Sequence, residues 1–158
     1  MIGEGSQERN LRNLAAKNIV FLPWQSKEKL KEFYSNCRAL IFPGEEDFGI
    51  VPVEAQACGK PVIAYAKGGA QETVLGLYLD EDYKKIQKNT GQKLSGLFFY
   101  PQTKQALITA VRQFQNLEFE PIYIRRNSLK FDQKIFREKI NKYILERHKE
   151  HQKNLSYK

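Results

Sequence analysis

Phe42-Pro43-Gly44-Glu45-Glu46-Asp47-Phe48-Gly49-Ile50-Val51-Pro52-Val53-Glu54 is the stretch on which the reading of the chain turns. Residues 39–42, just before it and into it, are apolar and read as a short buried strand. Pro43 and Gly44 make a turn, three acids follow, and Phe48-Gly49-Ile50 leads into an apolar segment with Pro52 near its start. Proline is tolerated in the first turn of a helix and is costly further in. The expected order is therefore strand, loop, helix, with the helix opening at Gly49 or Ile50. Such a helix start presents unpaired backbone N–H groups at the positive end of the helix dipole, which together make an anion site. A glycine at position 49 lets a ligand come close to the backbone. Two carboxylates, Glu46 and Glu54, flank the site.

Outward from this stretch the same alternation repeats. Met1-Ile2 reads as the tail of a strand and Gly3-Glu4-Gly5 as a tight turn. Ser6 is expected to cap a helix reaching about Lys17, followed by a strand over residues 18–22 closed by Pro23. Ser26 is expected to cap a helix over residues 27–36 with Leu30, Phe33 and Tyr34 on its apolar face. After the central helix, which should stop near Cys58 at Gly59, residues 61–65 are a buried strand. Lys67-Gly68-Gly69 then leads to a short helix over residues 70–74. Residues 75–94 read as a polar surface insertion, with one helical turn around residues 83–88. Residues 96–100 form a last strand, and Thr103 caps a helix to about Phe114. Pro121 separates that helix from basic C-terminal helices over residues 122–158, where Phe136, Ile140, Tyr143 and Ile144 share a face. Strands alternating with helices at this spacing predict one α/β domain over residues 1–158, a Rossmann-like three-layer parallel sheet with helices on both faces. In such sheets ligands sit beyond the carboxyl ends of the strands, where the loops at 23–25, 43–48 and 66–69 would open.

Bulk properties exclude several functions. The chain of 158 residues is 41% hydrophobic, and no run approaches the ~18 apolar residues of a membrane span. Residues 1–5 lack the basic and apolar parts of a secretory leader. Cys37 and Cys58 are read as buried free thiols in a reducing compartment, so the expected location is cytoplasmic. The only histidines, His148 and His151, lie in the polar tail, which leaves no histidine triad and no metal site. A magnesium site from Glu45, Glu46 and Asp47 is set aside, because adjacent loop acids rarely converge. The net charge is +8, and residues 125–158 hold 11 Lys and Arg against 4 Asp and Glu. That basic end allows peripheral contact with an anionic membrane face. The near-neutral body and the lack of interleaved aromatics in the tail argue against nucleic acid.

The acids at 46 and 54 would repel phosphate, so they should meet neutral hydroxyl groups. An ionised carboxylate only accepts, and it suits vicinal diols. A ligand with a sugar on each side of a phosphate linkage fits this layout, and a nucleotide sugar is such a ligand. Asp47 is read as a helix cap and Glu45 as a partner of the helix dipole. Gly68-Gly69 is read either as turn chemistry or as a donor-facing loop. Trp24 is read as apolar packing, with stacking on a nucleobase as the alternative.

Here a resemblance becomes specific. The run from Glu46 to Glu54 resembles the signature of family 4 glycosyltransferases, as do Ala57-Cys58-Gly59-Lys60-Pro61, Gly68-Gly69 with Glu72-Thr73-Val74, and Gly96-Leu97-Phe98-Phe99 with Gln102-Thr103. The likeness is closest to the mannosyltransferase-like branch that builds O-antigen and other surface polysaccharides. It implies a GT-B architecture, of which this chain resembles the C-terminal, donor-binding domain. It further implies that Glu54 binds the nucleotide ribose and that Glu46 approaches the donor sugar and reacting centre as the catalytic carboxylate. Backbone amides at Phe48, Gly49 and Ile50 would meet sugar and diphosphate. Transfer of a hexosyl group would retain configuration, without metal or cofactor, from a GDP-mannose-like donor to a glycan or lipid-linked acceptor. The family's diphosphate-clamping basic pair and its first strand are expected upstream of Gly3-Glu4-Gly5, and an N-terminal acceptor domain or partner chain is implied with them. Lys67 is a candidate to replace part of that clamp. A non-catalytic nucleotide-sugar-binding or scaffold subunit from a split or truncated gene is the alternative.

Overall fold

The computed structural model describes residues 1–78 and 93–156, with side chains through residue 153. In chain order it contains α1 (Glu8–Leu14), α2 (Lys27–Asn36), β1 (Leu40–Phe42), α3 (Ile50–Ala57), β2 (Val62–Tyr65), α4 (Ala70–Thr73), β3 (Gly76–Tyr78) and β4 (Gly96–Phe99). The helices α5 (Lys104–Phe114), α6 (Pro121–Ser128) and α7 (Gln133–Ser156) follow, with a 3-10 turn at Leu129–Phe131 between the last two.

The four strands form a parallel sheet in the order β1-β2-β4-β3. Every residue of β2 and β4 is buried, as expected for parallel strands covered on both faces. Alternation along these strands sends side chains into two apolar layers. Val62, Ala64 and Phe98 pack on one face with Phe42, Ala55, Ala70 and Val74, and Tyr34, Leu40 and Val51 extend that layer. Ile63, Leu97 and Phe99 pack on the other with Leu77, Leu94 and Ala110, backed by Ala106, Leu107 and Val111 of α5. The helices α2, α3 and α4 therefore cover one face and α5 the other. This is the expected three-layer parallel α/β architecture.

The expected caps hold where a hydroxyl precedes a good helix. The Ser26 side chain accepts from the Lys29 N–H, and the Thr103 side chain accepts from the Ala106 N–H. Ser6 does not cap α1. The N-cap is Gln7, without a side-chain bond, and the helix ends at Leu14 rather than Lys17. The expected strand at residues 18–22 is reduced to one parallel bridge between Ile2 and Leu22. A strand is a cooperative object, and two residues paired on one side only do not propagate it.

Residues 76–78 correct the reading of 75–94 as a surface insertion. They form β3, which pairs with β4 through Gly76↔Gly96, Leu77↔Leu97 and Tyr78↔Phe98. Leu77 is 1% exposed, and burying a leucine contributes about 1.5–3 kcal/mol. The helical turn expected at 83–88 lies outside the described residues. Cys37 and Cys58 are free but half-buried rather than buried. The long α7 leaves Phe136, Tyr143, Ile144 and Leu145 exposed.

Candidate functional site

The carboxyl edge of the sheet brings three loops together. β1 ends at Phe42 and hands over to residues 43–49, which turn into α3. Gly49 is the N-cap of α3, with φ +81 in the left-handed region. Glycine reaches that conformation without penalty, which lets the chain enter α3 directly. Pro52 sits in the first turn, where its missing N–H leaves no bond unmade. Among the described residues, the amides of Phe48, Gly49 and Ile50 donate to no carbonyl or side chain. The free donors expected at this helix start are present.

The loop is held from two sides. The Gly69 N–H donates to the Glu46 carbonyl at 2.7 Å. A Cβ on Gly69 would lie 2.4 Å from the Phe48 backbone, and one on Gly68 would lie 2.5 Å from the Glu46 carbonyl. The two glycines are thus required by loop-on-loop contact, which is the turn-chemistry reading. On the other side, the Gln102 side-chain amide donates to the Pro43 carbonyl at 2.8 Å. The Phe48 ring meets Phe131 edge-on, with centroids 5.7 Å apart.

Glu46 is exposed and, among the described residues, makes no ion pair. Its carboxylate is available to a ligand while its backbone is pinned. Glu45 pairs instead with Lys67, at 3.0 Å between Oε2 and Nζ. That contact raises the Lys67 pKa through the hydrogen bond and charge of Glu45. Asp47 does not cap α3, because Gly49 occupies that position and no side chain bonds the first turn.

Glu54 lies in the second turn of α3, one helix turn beyond Ile50. Its Oε2 accepts from the Tyr34 hydroxyl of α2 at 3.2 Å. Burial, and then the charge of Glu54, push the Tyr34 pKa well above its ordinary value. Glu54 stands between two cavities. One, of about 730 Å³, is shared with Lys27, Lys31, Tyr34 and Arg125. The other, of about 620 Å³, is shared with Trp24, Tyr34 and Val51. Glu46, Phe48, Gly49 and Ile50 line neither cavity. Ile50 and Glu54 lie on α3 with Gly49 as its N-cap, and Glu46 and Phe48 lie on the loop before it. Trp24 is 77% exposed, which overturns its reading as apolar packing and leaves its ring open to a ligand.

The residues the sequence reading missed are polar and buried. The Gln56 amide donates to the carbonyls of Pro52 and Thr73, and the Asn127 amide donates to Gln56 Oε1 and to the Thr73 carbonyl, all within 2.8–3.1 Å. Gln56 is fully buried and Asn127 nearly so. This network ties α3, α4 and α6 together behind the loop. The signal for Gln56 was its place at i+4 from Pro52, on the same face as Ala55. Asn127 carried no comparable signal.

No group of three or more His, Cys, Asp or Glu that could hold a metal occurs among the described residues, and no helix among them is long and apolar enough to cross a membrane.

This is a Rossmann-like fold: among the described residues, a parallel sheet with a glycine-opened helix start at its carboxyl edge. The chain belongs to the glycosyl transferases group 1 family, whose profile matches residues 1–131. It is 47% identical over 66 residues to the D-inositol 3-phosphate glycosyltransferase of Mycolicibacterium vanbaalenii, covering 38% of this chain and 15% of that protein. It is 37% identical over 83 residues to an uncharacterized glycosyltransferase of Methanocaldococcus jannaschii, covering 49% of this chain and 24% of that protein. Among solved structures, the sucrose-phosphate synthase of Thermosynechococcus elongatus matches with a TM-score of 0.55 at 28% identity, over 80% of this chain and 30% of that chain. The catalytic domain of starch synthase IV from Arabidopsis thaliana matches with a TM-score of 0.50 at 22% identity, over 77% of this chain and 24% of that chain, and shows the fold alone. The chain thus spans about a quarter or less of these curated relatives. The GT-B architecture is supported, whereas the relatives include inositol phosphate glycosyltransferases rather than singling out a mannosyltransferase branch.

Proposed function

We propose that this chain is the donor-binding part of a retaining glycosyltransferase and that it holds a nucleotide-diphospho sugar at the start of α3. The observation that carries the reading is the free amides of Phe48, Gly49 and Ile50 at a helix N-terminus on the carboxyl edge of a parallel sheet. Phosphate oxygens would accept from these donors. Glu54, steadied by Tyr34, would accept from the vicinal hydroxyls of the ribose. Glu46, on a pinned loop with a free carboxylate, would position the donor sugar and stabilise positive charge developing at its reacting carbon. Trp24, whose ring is exposed, would stack on the base.

The finer reading takes GDP-mannose as donor and a glycan or lipid-linked acceptor, with a role in surface polysaccharide synthesis. An N-terminal acceptor domain would complete the enzyme, and the basic C-terminal helix would meet the inner membrane face from the cytoplasm. The second reading is a nucleotide-sugar-binding subunit that does no chemistry alone.

Calorimetric titration with GDP, UDP, GDP-mannose and UDP-glucose tests the binding claim. Binding of a nucleotide sugar that weakens in Glu54→Gln supports it, and absence of binding at millimolar ligand refutes both readings. In a full two-domain enzyme containing this segment, Glu46→Gln should lower turnover more than donor affinity. Unchanged turnover would remove Glu46 from the mechanism.

A further inference from the structure

The groove over α3 has unopposed positive charge on both walls. On α2, Lys27 and Lys31 stand one helical turn apart, so their side chains share a face. On α6, Arg125 stands one turn beyond Pro121. All three line the cavity of about 730 Å³, whose only carboxylate is Glu54. Among the described residues none of these cations makes an ion pair. The acids nearest to them in sequence are engaged elsewhere. Glu28 hydrogen-bonds Ser26 at the helix cap, Glu32 pairs with Lys29 and Glu120 pairs with Lys93. Glu54 itself takes the Tyr34 hydroxyl.

Like charges four residues apart on a helix repel, and a third cation facing them adds to the repulsion. Three cations against one carboxylate leave two positive charges unmatched in the lining. That charge complements the dianion of a phosphate monoester better than the monoanion of a carboxylate or a sulfate ester. A guanidinium grips two phosphate oxygens at once, while ammonium groups meet the remaining one as point charges. Leu30, Ala57, Pro121 and Ile122 make the rest of the groove apolar, and Ile122 is 71% exposed. A cavity of this size takes a small molecule.

We propose that this groove is a second ligand site, for a small molecule with a phosphate monoester at one end and an apolar or ring-shaped body. The phosphate sits between Lys27 and Lys31 of α2 and Arg125 of α6, and the body lies along Pro121 and Ile122. The site is separate from the start of α3, because the amides of residues 48–50 do not line this cavity. Glu54 is the wall they have in common, and its charge acts oppositely in each. Toward sugar hydroxyls it is an acceptor, whereas toward a phosphate in the groove it is repulsive. The groove keeps its charge whether or not the chain binds a nucleotide sugar.

Backbone amide chemical shifts under titration test it. The probe is phenyl phosphate at about pH 8, where the ester is a dianion. The control is phenyl sulfate, its monoanionic counterpart, with ionic strength held constant by chloride. Phenyl phosphate should give saturable shifts at Lys31, Ile122 and Arg125, and phenyl sulfate should bind about tenfold more weakly. Lys31→Gln and Arg125→Gln should each lower phenyl phosphate affinity about tenfold. Lys134→Gln, on α7 and outside the groove, should leave it unchanged. Glu54→Gln should raise it about threefold, the opposite of the loss expected for a nucleotide sugar. All four side chains are exposed, so these variants keep the fold. Shifts that chloride reproduces would mean an adventitious ion only and overturn the proposal, as would equal affinity in Lys31→Gln and Arg125→Gln. Shifts confined to residues 48–50 would overturn it and leave the donor reading standing. Weaker binding in Glu54→Gln would also overturn it, by making the groove a part of the donor site.

Discussion

The Tyr34 hydroxyl donates to Glu54 Oε2 at 3.2 Å, which ties the outer helix α2 to the carboxylate proposed to meet the ribose. The bond holds the carboxylate in one rotamer at the wall of a cavity before any ligand arrives. Tyr34→Phe removes the donor and keeps the ring, so the packing of α2 on the sheet survives. Donor affinity should fall about fivefold, corresponding to the ~1 kcal/mol of an ordinary hydrogen bond. Titration of both proteins with one nucleotide sugar measures it, and an unchanged affinity would show that Glu54 needs no positioning.

The same contact predicts an alkaline limit. The Tyr34 pKa lies above its ordinary value of 10.0, chiefly because the ring is partly buried and secondly because Glu54 is anionic. The unfolded chain loses this proton first, so the stability it confers is fully present below pH 10 and is lost as the pH rises toward the folded value. Melting temperature should decline above about pH 10, and less steeply in Tyr34→Phe. Parallel slopes for the two proteins would assign the decline to other groups.

Behind the loop, Asn127 supplies the hydrogen bond that Gln56 Oε1 receives, in a region where Gln56 is fully buried. Asn127→Ala leaves that oxygen without its donor and should destabilise the fold by about 1–3 kcal/mol. Urea denaturation followed by circular dichroism reads this directly. A loss below ~0.5 kcal/mol would mean that water replaces the amide.

Gly69 and Gly44 make a matched pair. A Cβ at Gly69 would fall 2.4 Å from the Phe48 backbone, whereas one at Gly44 meets nothing within 4 Å. Gly69→Ala should displace the free amides at the start of α3 and reduce donor affinity by at least about tenfold, since such sites tolerate only ~0.5 Å of error. Gly44→Ala should bind as the parent does. Equal behaviour of the two variants would show that the loop contact does not govern the site.

The order of elements was legible in the sequence because local rules govern it. Hydroxyl caps at Ser26 and Thr103, glycines at 49 and 59, and continuous apolar runs at β2 and β4 each act over a few residues. The failures have equally physical causes. Asp47 looked like a cap, but the left-handed turn at Gly49 took that position. Residues 76–78 looked like a surface because Gly76-Leu77-Tyr78 is a short run beside a polar stretch. What made it a strand was the open edge of β4, which is distant in sequence.

Residues 42–54 specified their own conformation and chemistry: a strand end, a glycine-opened helix, free amides and two glutamates at fixed spacing. Short-range sterics and unpaired first-turn donors are sufficient for that. Which glutamate was held and which left free was settled by packing between elements far apart in the chain. Tyr34 reaches Glu54 across two helices, Gly69 pins the backbone of Glu46, and Lys67 takes Glu45. Such pairings depend on how the layers stack, because a side chain can bond only what the folded sheet brings within reach.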